Sequence, residues 1–483
     1  MLRDSRMEKS MDTKALKLSS SIEHDRNIFY YDILVDVAHV LSLHKSGYLS
    51  HEEAAEILKA LKKIRENGYK PEWKYEDIHE AIEAEVTKIT DKGAKMHTGR
   101  SRNDEVATCL RLFARDHLLN LAENILAVMD VLIKKAEKSE AIMPGFTHLQ
   151  YAQPTKLSHH LVAYHDMLSR DFDRAIEAFK RANRCPLGSA AFASTGFSLD
   201  RLYTARLLGF DGVVENSEDA VSSRDFLIDA IYVSTSLMLS ISRIAEEIVL
   251  FSSEFDFIEL PDEFSSTSSI MPQKKNPDIA ELLRANAGRL VGSLTAAMSI
   301  YKAMPFSYNR DFQEMNPILY DSLKRAELAS EVLAAMIDKI EFKEEVMKEK
   351  ASKGFATATE LADMLVIKFG IPFRASHRIV GRLAAKEIEK PTAEDIKIVA
   401  KEFGYSIKIS DEDVAEALDV EKVIEKRRNI GGTASDEIHR MMEGRKEELK
   451  NKKAKVRNLR GKIALNLRML YDEAKKLGVD FHA

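Results

Sequence analysis

The sequence predicts an all-α protein, and three observations support this prediction. Helical periodicity is widespread along the chain, whereas the alternating polar and apolar runs typical of strands are few. Glycine (20) and proline (11), which break helices, are sparse for 483 residues, and no proline precedes Pro71. Several helical stretches are long and apolar on more than one side, which is typical of helices buried among other helices or against another subunit.

Several long helices are predicted in the middle of the chain. Residues 106–119 form a helical run, and residues 120–138 continue with an apolar stripe at helical spacing. Another long helix is predicted to begin in the segment around Pro154 and to contain three histidines, and residues 228–251 repeat apolar side chains at three, four and six residues. The two stripes consist of Ile125, Val128, Met129 and Leu132, and of Ile231, Leu237, Ile241, Ile244 and Ile248.

The last third of the chain is predicted to contain shorter or highly charged helices, at residues 344–363, 372–390 and 437–476. In the final helix acidic residues are interspersed with the lysines and arginines, so a solvated amphipathic helix is a better interpretation than nucleic-acid binding. Soft domain boundaries are predicted near Gly99 and near residues 353–354.

Length and composition exclude several classes of protein. A chain of 483 residues is too long to fold around one compact core, and its length suggests two to four domains. The net charge of -5 argues against a binder of nucleic acid, which would be basic. Two cysteines, Cys109 and Cys185, give neither a disulfide framework nor a cysteine cluster for a metal, which fits a cytoplasmic protein. The N-terminal segment lacks the apolar core of a signal peptide, and we expect no membrane-spanning segment.

The first polar cluster is the octet His-Thr-Gly-Arg-Ser-Arg-Asn-Asp at residues 97–104. A glycine turn and a dense set of donors precede a helical run. The planar fork of arginine suits carboxylates, and asparagine can both donate and accept. An ordinary polar helix start with surface arginines is the alternative interpretation.

The second cluster is Pro-Gly-Phe-Thr-His-Leu-Gln-Tyr-Ala-Gln-Pro at residues 144–154, which we predict to open a long helix. His148, near a helix start and beside a threonine and glutamines, could transfer protons near neutral pH. A capping or core histidine is the alternative. His159, His160 and His165 invite a metal interpretation, but they supply no clear ligand set with carboxylates, so no metal site is predicted.

The third cluster is Ser-Ser-Thr-Ser-Ser-Ile-Met-Pro-Gln-Lys-Lys-Asn-Pro-Asp at residues 265–278. Small hydroxyl residues favour mobility, and two prolines brace the lysines and the asparagine. A serine needs cationic neighbours and a closed, dry site to act as a base. Lys274 and Asn276 could supply charge and hydrogen bonds. A solvated serine-rich linker is the alternative, which the residues after Ser269 disfavour.

These three clusters resemble the motifs of the fumarase/aspartase superfamily, and most closely those of argininosuccinate lyase. The resemblance covers nearly the whole chain, from about Ser21 to Ala434, and its motifs are highly specific. It implies β-elimination of argininosuccinate to arginine and fumarate, in arginine biosynthesis, without metal or organic cofactor. It also implies that Ser268 is the base, that Glu281 pairs with His148, and that Lys274 and Asn276 stabilise the developing charge.

Weaker matches extend the resemblance to substrate binding. Segments at residues 21–26, 223–226 and 308–314 resemble blocks that hold the substrate. The implied substrate-binding residues are Ser21, Asp25, Ser101, Arg102, Asn103, Thr147, Arg224, Tyr308 and Gln313. The chain departs from the family pattern twice: Thr267 stands where a glycine is usual, and Asn316 stands where a lysine is frequent, which puts one carboxylate contact in doubt.

The resemblance further implies a three-domain architecture with a long central helical bundle. The expected domains are residues 1–100, residues 101–352 with a catalytic loop at about 261–277, and residues 353–483. Active sites shared between the subunits of a homotetramer are expected. Two other functions stay open: adenylosuccinate lyase, although no glycine-rich phosphate cradle is visible, and a structural protein on the same scaffold, as some lens crystallins are.

Overall fold

The computed structural model describes residues 7–70 and 74–482, and in this part of the chain eighteen α-helices and six short strands are present. The prediction of an all-α fold is confirmed. The N-terminal part contains α1 (Thr13–Ser19), α2 (Phe29–Lys45), α3 (His51–Asn67) and α4 (Ile78–Ile89). Helix α3 begins at a capping box in which Ser50 and Glu53 each accept a hydrogen bond from the other's backbone N–H.

Five long helices form the centre of the molecule. They are α5 (Arg102–Lys138), α6 (Leu157–Ala182), α9 (Asp225–Phe251), α10 (Asp278–Tyr301) and α11 (Met315–Lys339). The predicted runs at residues 106–119 and 120–138 form one helix, α5. Two short helices, α7 (Arg201–Leu207) and α8 (Ser217–Ser222), lie between α6 and α9. The apolar stripes predicted in α5 and α9 are buried in one continuous core.

By length and composition, α9 is the one helix among residues 7–70 and 74–482 that could cross a membrane. Just over half (56%) of its most apolar window is buried inside the structure, and a core helix passes the same test. Its apolar character follows from its place in the bundle, between α6, α10 and α11.

The C-terminal third contains α12 (Glu344–Ala351), α13 (Ala358–Phe369), α14 (Phe373–Ala385), α15 (Ala393–Glu402), α16 (Asp411–Leu418), α17 (Val420–Glu425) and α18 (Ser435–Lys476). One continuous helix over residues 344–363 was a wrong prediction. The chain breaks between α12 and α13 because Gly354 and Phe355 both adopt positive φ angles. Helices α13 to α16 surround a core of their own, whereas α18 packs on α5 and contributes to the main core. The predicted division into three domains stays a prediction.

Three small antiparallel pairs of strands complete the fold. They are β1 (Ile142–Thr147) with β2 (Gln150–Lys156), β3 (Ile258–Glu259) with β6 (Glu341–Phe342), and β4 (Ser266–Thr267) with β5 (Lys275–Asn276). The β1–β2 hairpin corrects the prediction that residues 144–154 open a helix. The helix begins only at Leu157, and Gly145 permits the irregularity in the hairpin because a Cβ there would lie 2.4 Å from the carbonyl oxygen of Gln153.

Candidate active site

The first turn of α5 places two predicted substrate-binding residues on a rigid element. Ser101 is the N-cap, and it forms a capping box with Asp104. The second carboxylate oxygen of Asp104 accepts hydrogen bonds from the backbone N–H groups of Gly188 and Ala190, both 2.9 Å away. The helix start is therefore tied to the 188–190 segment, and Arg102 and Asn103 follow directly. Ser101 itself is engaged as the cap.

A cavity of about 170 Å³ lies beside this helix start. It gathers seven of the nine predicted substrate-binding residues, from four separate parts of the chain: Ser21, Asp25, Arg102, Asn103, Arg224, Tyr308 and Gln313. Arginines and carboxylates both line it, so the cavity can accept a ligand that carries both signs of charge.

Arg224 is the most notable donor in this cavity. Its side chain is 1% exposed, and its Nη1 donates to the carbonyl oxygens of Val221 and Ser223. Its Nε and Nη2 find no hydrogen-bond partner among the described residues. Burial lowers the pKa of Arg224 to about 10. A buried guanidinium with free donors is costly unless an anion pairs with it, so this position suits a ligand carboxylate.

Asp25 supplies negative charge on another wall. Its carboxylate accepts a 2.7 Å hydrogen bond from the hydroxyl of Ser21 and a 3.1 Å bond from the backbone N–H of Ile78. Burial raises the pKa of Asp25 to about 6. When ionised, this carboxylate can hold a cationic group of a ligand.

The stretch from Tyr308 to Asn316 closes the cavity from a third side. Gln313 and Arg310 both donate to the carbonyl oxygen of Ser19, at 2.9 and 2.8 Å. Arg310 also forms a 2.7 Å ion pair with Glu76. Asn316, one of the two departures from the family pattern, is 7% exposed, and its Oδ1 finds no partner among the described residues. Its amide is thus a free polar group in the cavity wall, without the charge of a lysine.

A buried charged cluster behind the cavity was missed by sequence reasoning. His79 lines the cavity, and its Nδ1 lies 2.9 Å from Asp32, while Arg100 pairs with Asp36 at 2.6 Å and Glu105 at 2.8 Å. Burial alone would lower the pKa of His79, but the charges of Asp32 and Glu105 raise it to about 10. The cluster therefore favours the protonated form of His79 beside the cavity. The available signal was a pair of aspartates four residues apart in the otherwise apolar start of α2.

His148 and Thr147 lie at the exposed tip of the β1–β2 hairpin. His148 and Leu149 form its two-residue turn, with φ angles of 56° and 58°. Turns of this kind favour Asn-Gly, and each bulky residue with positive φ costs about 1 kcal/mol or more. Strain of this sort is often retained at functional sites, and it presents the imidazole outward on a rigid support.

Ser268 lies in the loop between β4 and β5. Its Oγ accepts hydrogen bonds from the backbone N–H groups of Ile270, at 3.3 Å, and Met271, at 3.0 Å. Two aimed N–H groups stabilise negative charge on the oxygen, as an oxyanion hole does. The loop geometry therefore suits a serine that loses its proton. Thr267, the other departure, pairs with Lys275 in the β4–β5 ladder.

The two lysines of this loop are used differently. Lys275 is tied to the loop base by Asp262, at 2.8 Å, and by Glu259, at 3.1 Å. Lys274 is exposed, and its side-chain ammonium makes no hydrogen bond or ion pair with any described residue. Asn276 is half-buried and donates to Ser266 at 3.5 Å. Lys274 is thus the lysine left available for a ligand.

The predicted site is divided into separate parts within one chain. The cavity lining includes no residue of the hairpin tip or of the 266–276 loop. Among the described residues no hydrogen bond or ion pair joins His148 to Glu281, which is exposed on the first turn of α10. A single chain therefore brings seven of the nine predicted substrate-binding residues together in one cavity, and this cavity is lined by none of the predicted catalytic residues.

Comparisons with family models and with curated proteins both relate this chain to lyases. The family model described as lyase matches residues 5–292, and the model described as argininosuccinate lyase C-terminal matches residues 355–425. The argininosuccinate lyase of Archaeoglobus fulgidus is 74% identical over 482 residues and covers the whole of both chains.

Two solved structures share the fold. EDDS lyase in complex with formate has a TM-score of 0.87 at 31% identity, over 96% of this chain and 94% of the other. A variant of EDDS lyase with bound fumarate has a TM-score of 0.85 at 29% identity, over the same shares of the two chains.

Proposed function

The chain belongs to the argininosuccinate lyase family, and from this premise we propose how its residues act on the substrate. The protein is a carbon–nitrogen lyase that cleaves argininosuccinate to arginine and fumarate by a reversible β-elimination. The observation that best supports our assignment of residues is the cavity around Arg224, which joins free buried N–H donors to a carboxylate, Asp25. Argininosuccinate carries two carboxylates on its succinyl part, a guanidinium in the middle, and an ammonium and a carboxylate at its arginine end, so both the arginine donors and the Asp25 carboxylate find groups of opposite charge on it.

In the proposed binding mode, Arg102, Asn103 and Arg224 hold the succinate carboxylates, with Thr147 as a further contact. The free Nε and Nη2 of Arg224 support this assignment, because they can form two parallel bonds to one carboxylate. The arginine part is positioned by Ser21, Asp25, Tyr308 and Gln313. Ser101 acts through the first turn of α5, which it caps.

The chemical step begins with removal of a proton from the succinate carbon next to a carboxylate. Ser268 takes this proton on Oγ, and the electron pair moves into the carboxylate to give a dianionic aci-carboxylate. The backbone N–H groups of Ile270 and Met271 favour the ionised serine before the step. Lys274 and Asn276 stabilise the charge of the intermediate, and closure of the loop excludes water.

Collapse of the intermediate completes the elimination. The electron pair returns to form the carbon–carbon double bond of fumarate, the carbon–nitrogen bond breaks, and the departing guanidino nitrogen takes up a proton. His148 assists this proton transfer, and Glu281 orients its imidazole. Because no hydrogen bond or ion pair joins Glu281 to His148 within the described part of one chain, this pairing is proposed between subunits.

We further propose that the active unit is a homotetramer in which different subunits contribute the parts of each site. The exposed surface of the central helices supports self-association, because six large apolar side chains are exposed there. They are Tyr232 and Leu239 on α9, Leu282, Val291 and Met298 on α10, and Leu328 on α11. On α10, Gly288 and Gly292 leave open space that a neighbouring helix could approach.

The test is to follow fumarate by its ultraviolet absorbance with purified protein, offering argininosuccinate and adenylosuccinate separately. We expect fumarate from argininosuccinate only. Fumarate from adenylosuccinate only would assign the sister activity. Failure to form fumarate from either substrate, with a folded oligomer, would support a structural role.

A further inference from the structure

The base of the β1–β2 hairpin is attached to the C-terminal helices by both polar and apolar contacts. Ile142 lies opposite Lys156 at the base, and Thr147 lies opposite Gln150 next to the turn. Six residues of strand separate Lys156 from Gln150, which is about 20 Å of extended chain. A rotation of about 5° at the base would therefore move the hairpin tip by about 2 Å.

Lys156 forms a buried polar anchor at this base. Its side chain is only 10% exposed, and its Nζ donates to the hydroxyl of Ser435 at 2.5 Å. The same Nζ lies 3.1 Å from Glu425 and 3.5 Å from Glu140. Glu425 ends α17 and also accepts a 2.6 Å bond from the hydroxyl of Ser435, which begins α18, so Lys156 is joined to the end of one helix and the start of the next. The carboxylate partners Glu425 and Glu140 are 41% and 76% exposed, so the ion pairs themselves contribute little, and the geometry depends mainly on the buried Lys156 side chain and its bond to Ser435.

Apolar contacts hold both ends of the hairpin, at Ile142 in the base and at Tyr151 beside the turn. Ile142 packs with Ala351 and Ile424 in a small cluster separate from the main core. Tyr151 covers Gly354, where an added Cβ would lie 2.9 Å from the Cβ of Tyr151. Both contacts come from the region where α12 ends and from α17, which lie close to the C-terminal group of helices.

We propose that Lys156 is a positioning residue that aims the hairpin tip, and hence His148, by locking the hairpin base to α17 and α18. This inference rests on the proposed function of His148 in proton transfer. A displacement of about 1 Å in a catalytic group can cost about 100-fold in rate. Loss of the Lys156 anchor therefore lowers turnover without touching the cavity that binds the substrate.

The test compares Lys156→Met with Lys156→Arg and with Lys348→Met. Lys348 and Lys156 line one cleft beside the hairpin base. Lys348 is 58% exposed, however, and it bridges α12 to Glu421 instead of holding the hairpin. For Lys156→Met we expect kcat to fall by about 10- to 100-fold, with KM for argininosuccinate within about 2-fold. Lys156→Arg should recover most of kcat, and Lys348→Met should behave as the unmodified protein does.

Hydrogen exchange separates positioning from general destabilisation. Backbone amides of residues 142–156 should exchange faster in Lys156→Met, while those of α5 and α9 stay protected. Loss of protection throughout the bundle, or an equal loss of kcat in Lys348→Met, would overturn the proposal.

His148→Asn is measured alongside, because it distinguishes the role of His148 in proton transfer from the role of Lys156 in positioning. An inactive His148→Asn with a fully active Lys156→Met would overturn the positioning role alone. A fully active His148→Asn would overturn the function of His148 and the positioning role together.

Discussion

The hydroxyl of Ser21 donates a 2.7 Å hydrogen bond to the carboxylate of Asp25, whose pKa is raised to about 6 by burial. A carboxyl with a raised pKa is neutral below that pH and charged above it. Asp25 can therefore attract a cationic ligand group only above about pH 6.

Substrate binding should consequently weaken as pH falls through this range. We expect KM for argininosuccinate to rise by up to about tenfold for each pH unit below the pKa of Asp25. Asp25→Asn should show a high KM that changes little between pH 5 and 7, a range chosen around that value. Steady-state kinetics across this range test the prediction. A KM in Asp25→Asn that depends on pH in the same way as that of the unmodified protein would contradict it.

The same pKa has an opposite consequence for stability. Because the folded-state pKa of Asp25 lies above its ordinary value of 3.8, the folded protein binds more protons than the unfolded chain between these two values. The contribution of Asp25 to the free energy of unfolding therefore decreases as pH rises from about 4 to about 6, while its contribution to binding increases. Such a conflict is expected of a group retained for function.

Arg224→Gln tests the proposed carboxylate site. Removing one partner of a buried, hydrogen-bonded charge pair costs about 2 kcal/mol or more, which is about 30-fold in affinity. We expect the inhibition constant of succinate, a competitor for the carboxylate site, to rise by at least this factor. Arg206→Gln, an exposed arginine on α7, is the matched control. Equal effects of the two substitutions would remove the special role of Arg224.

Ser268→Ala tests the base. Removal of the proton acceptor should lower kcat by about 10²- to 10⁴-fold, because general base catalysis contributes on this scale. The dissociation constant of argininosuccinate, measured by calorimetry on the inactive variant, should stay within about 3-fold because the cavity is unchanged. Ser269→Ala is the control, since Ser269 lies next in the same loop. Retained turnover in Ser268→Ala would reassign the base.

Sequence reasoning located most of the cavity because its residues belong to motifs of fixed local geometry. Arg102 and Asn103 directly follow the N-cap Ser101, a relationship visible in sequence. The all-α class followed from periodicity, which is strong in helices as long as α5 and α9. Membership of the family then rests on the whole chain and not on one motif.

The wrong helix prediction at residues 144–154 and the missed cluster around His79 have physical causes that are not visible in the local sequence. Residues 144–154 contain two prolines, and they form a hairpin in which Pro144 and Pro154 lie opposite each other. Its turn uses His148 and Leu149 in place of the usual Asn-Gly, so the ordinary hairpin signal is absent. Partners of His79 and Arg100 are distant in sequence, and only tertiary structure brings them together.

Mixing two inactive variants tests whether active sites are shared. His148→Asn and Ser268→Ala each remove one proposed group, and neither group lines the cavity or is joined to the other by a hydrogen bond or ion pair among the described residues. If different subunits supply them to a site, some sites in a mixed oligomer receive both intact groups. With random assortment of equal amounts, about a quarter of the sites should be intact.

The control pairs Ser268→Ala with Lys274→Met. Both residues lie in the loop between β4 and β5, and the backbone N–H of Ser268 donates to the carbonyl oxygen of Lys274. One subunit therefore supplies both groups to the same site, and a site built on either variant loop lacks one of them. We expect recovered fumarate formation after dissociation and reassembly of the first pair, and none for the second. Equal recovery in both mixtures, or none in a mixed oligomer of the first pair verified by mass spectrometry, would contradict sites assembled from different subunits.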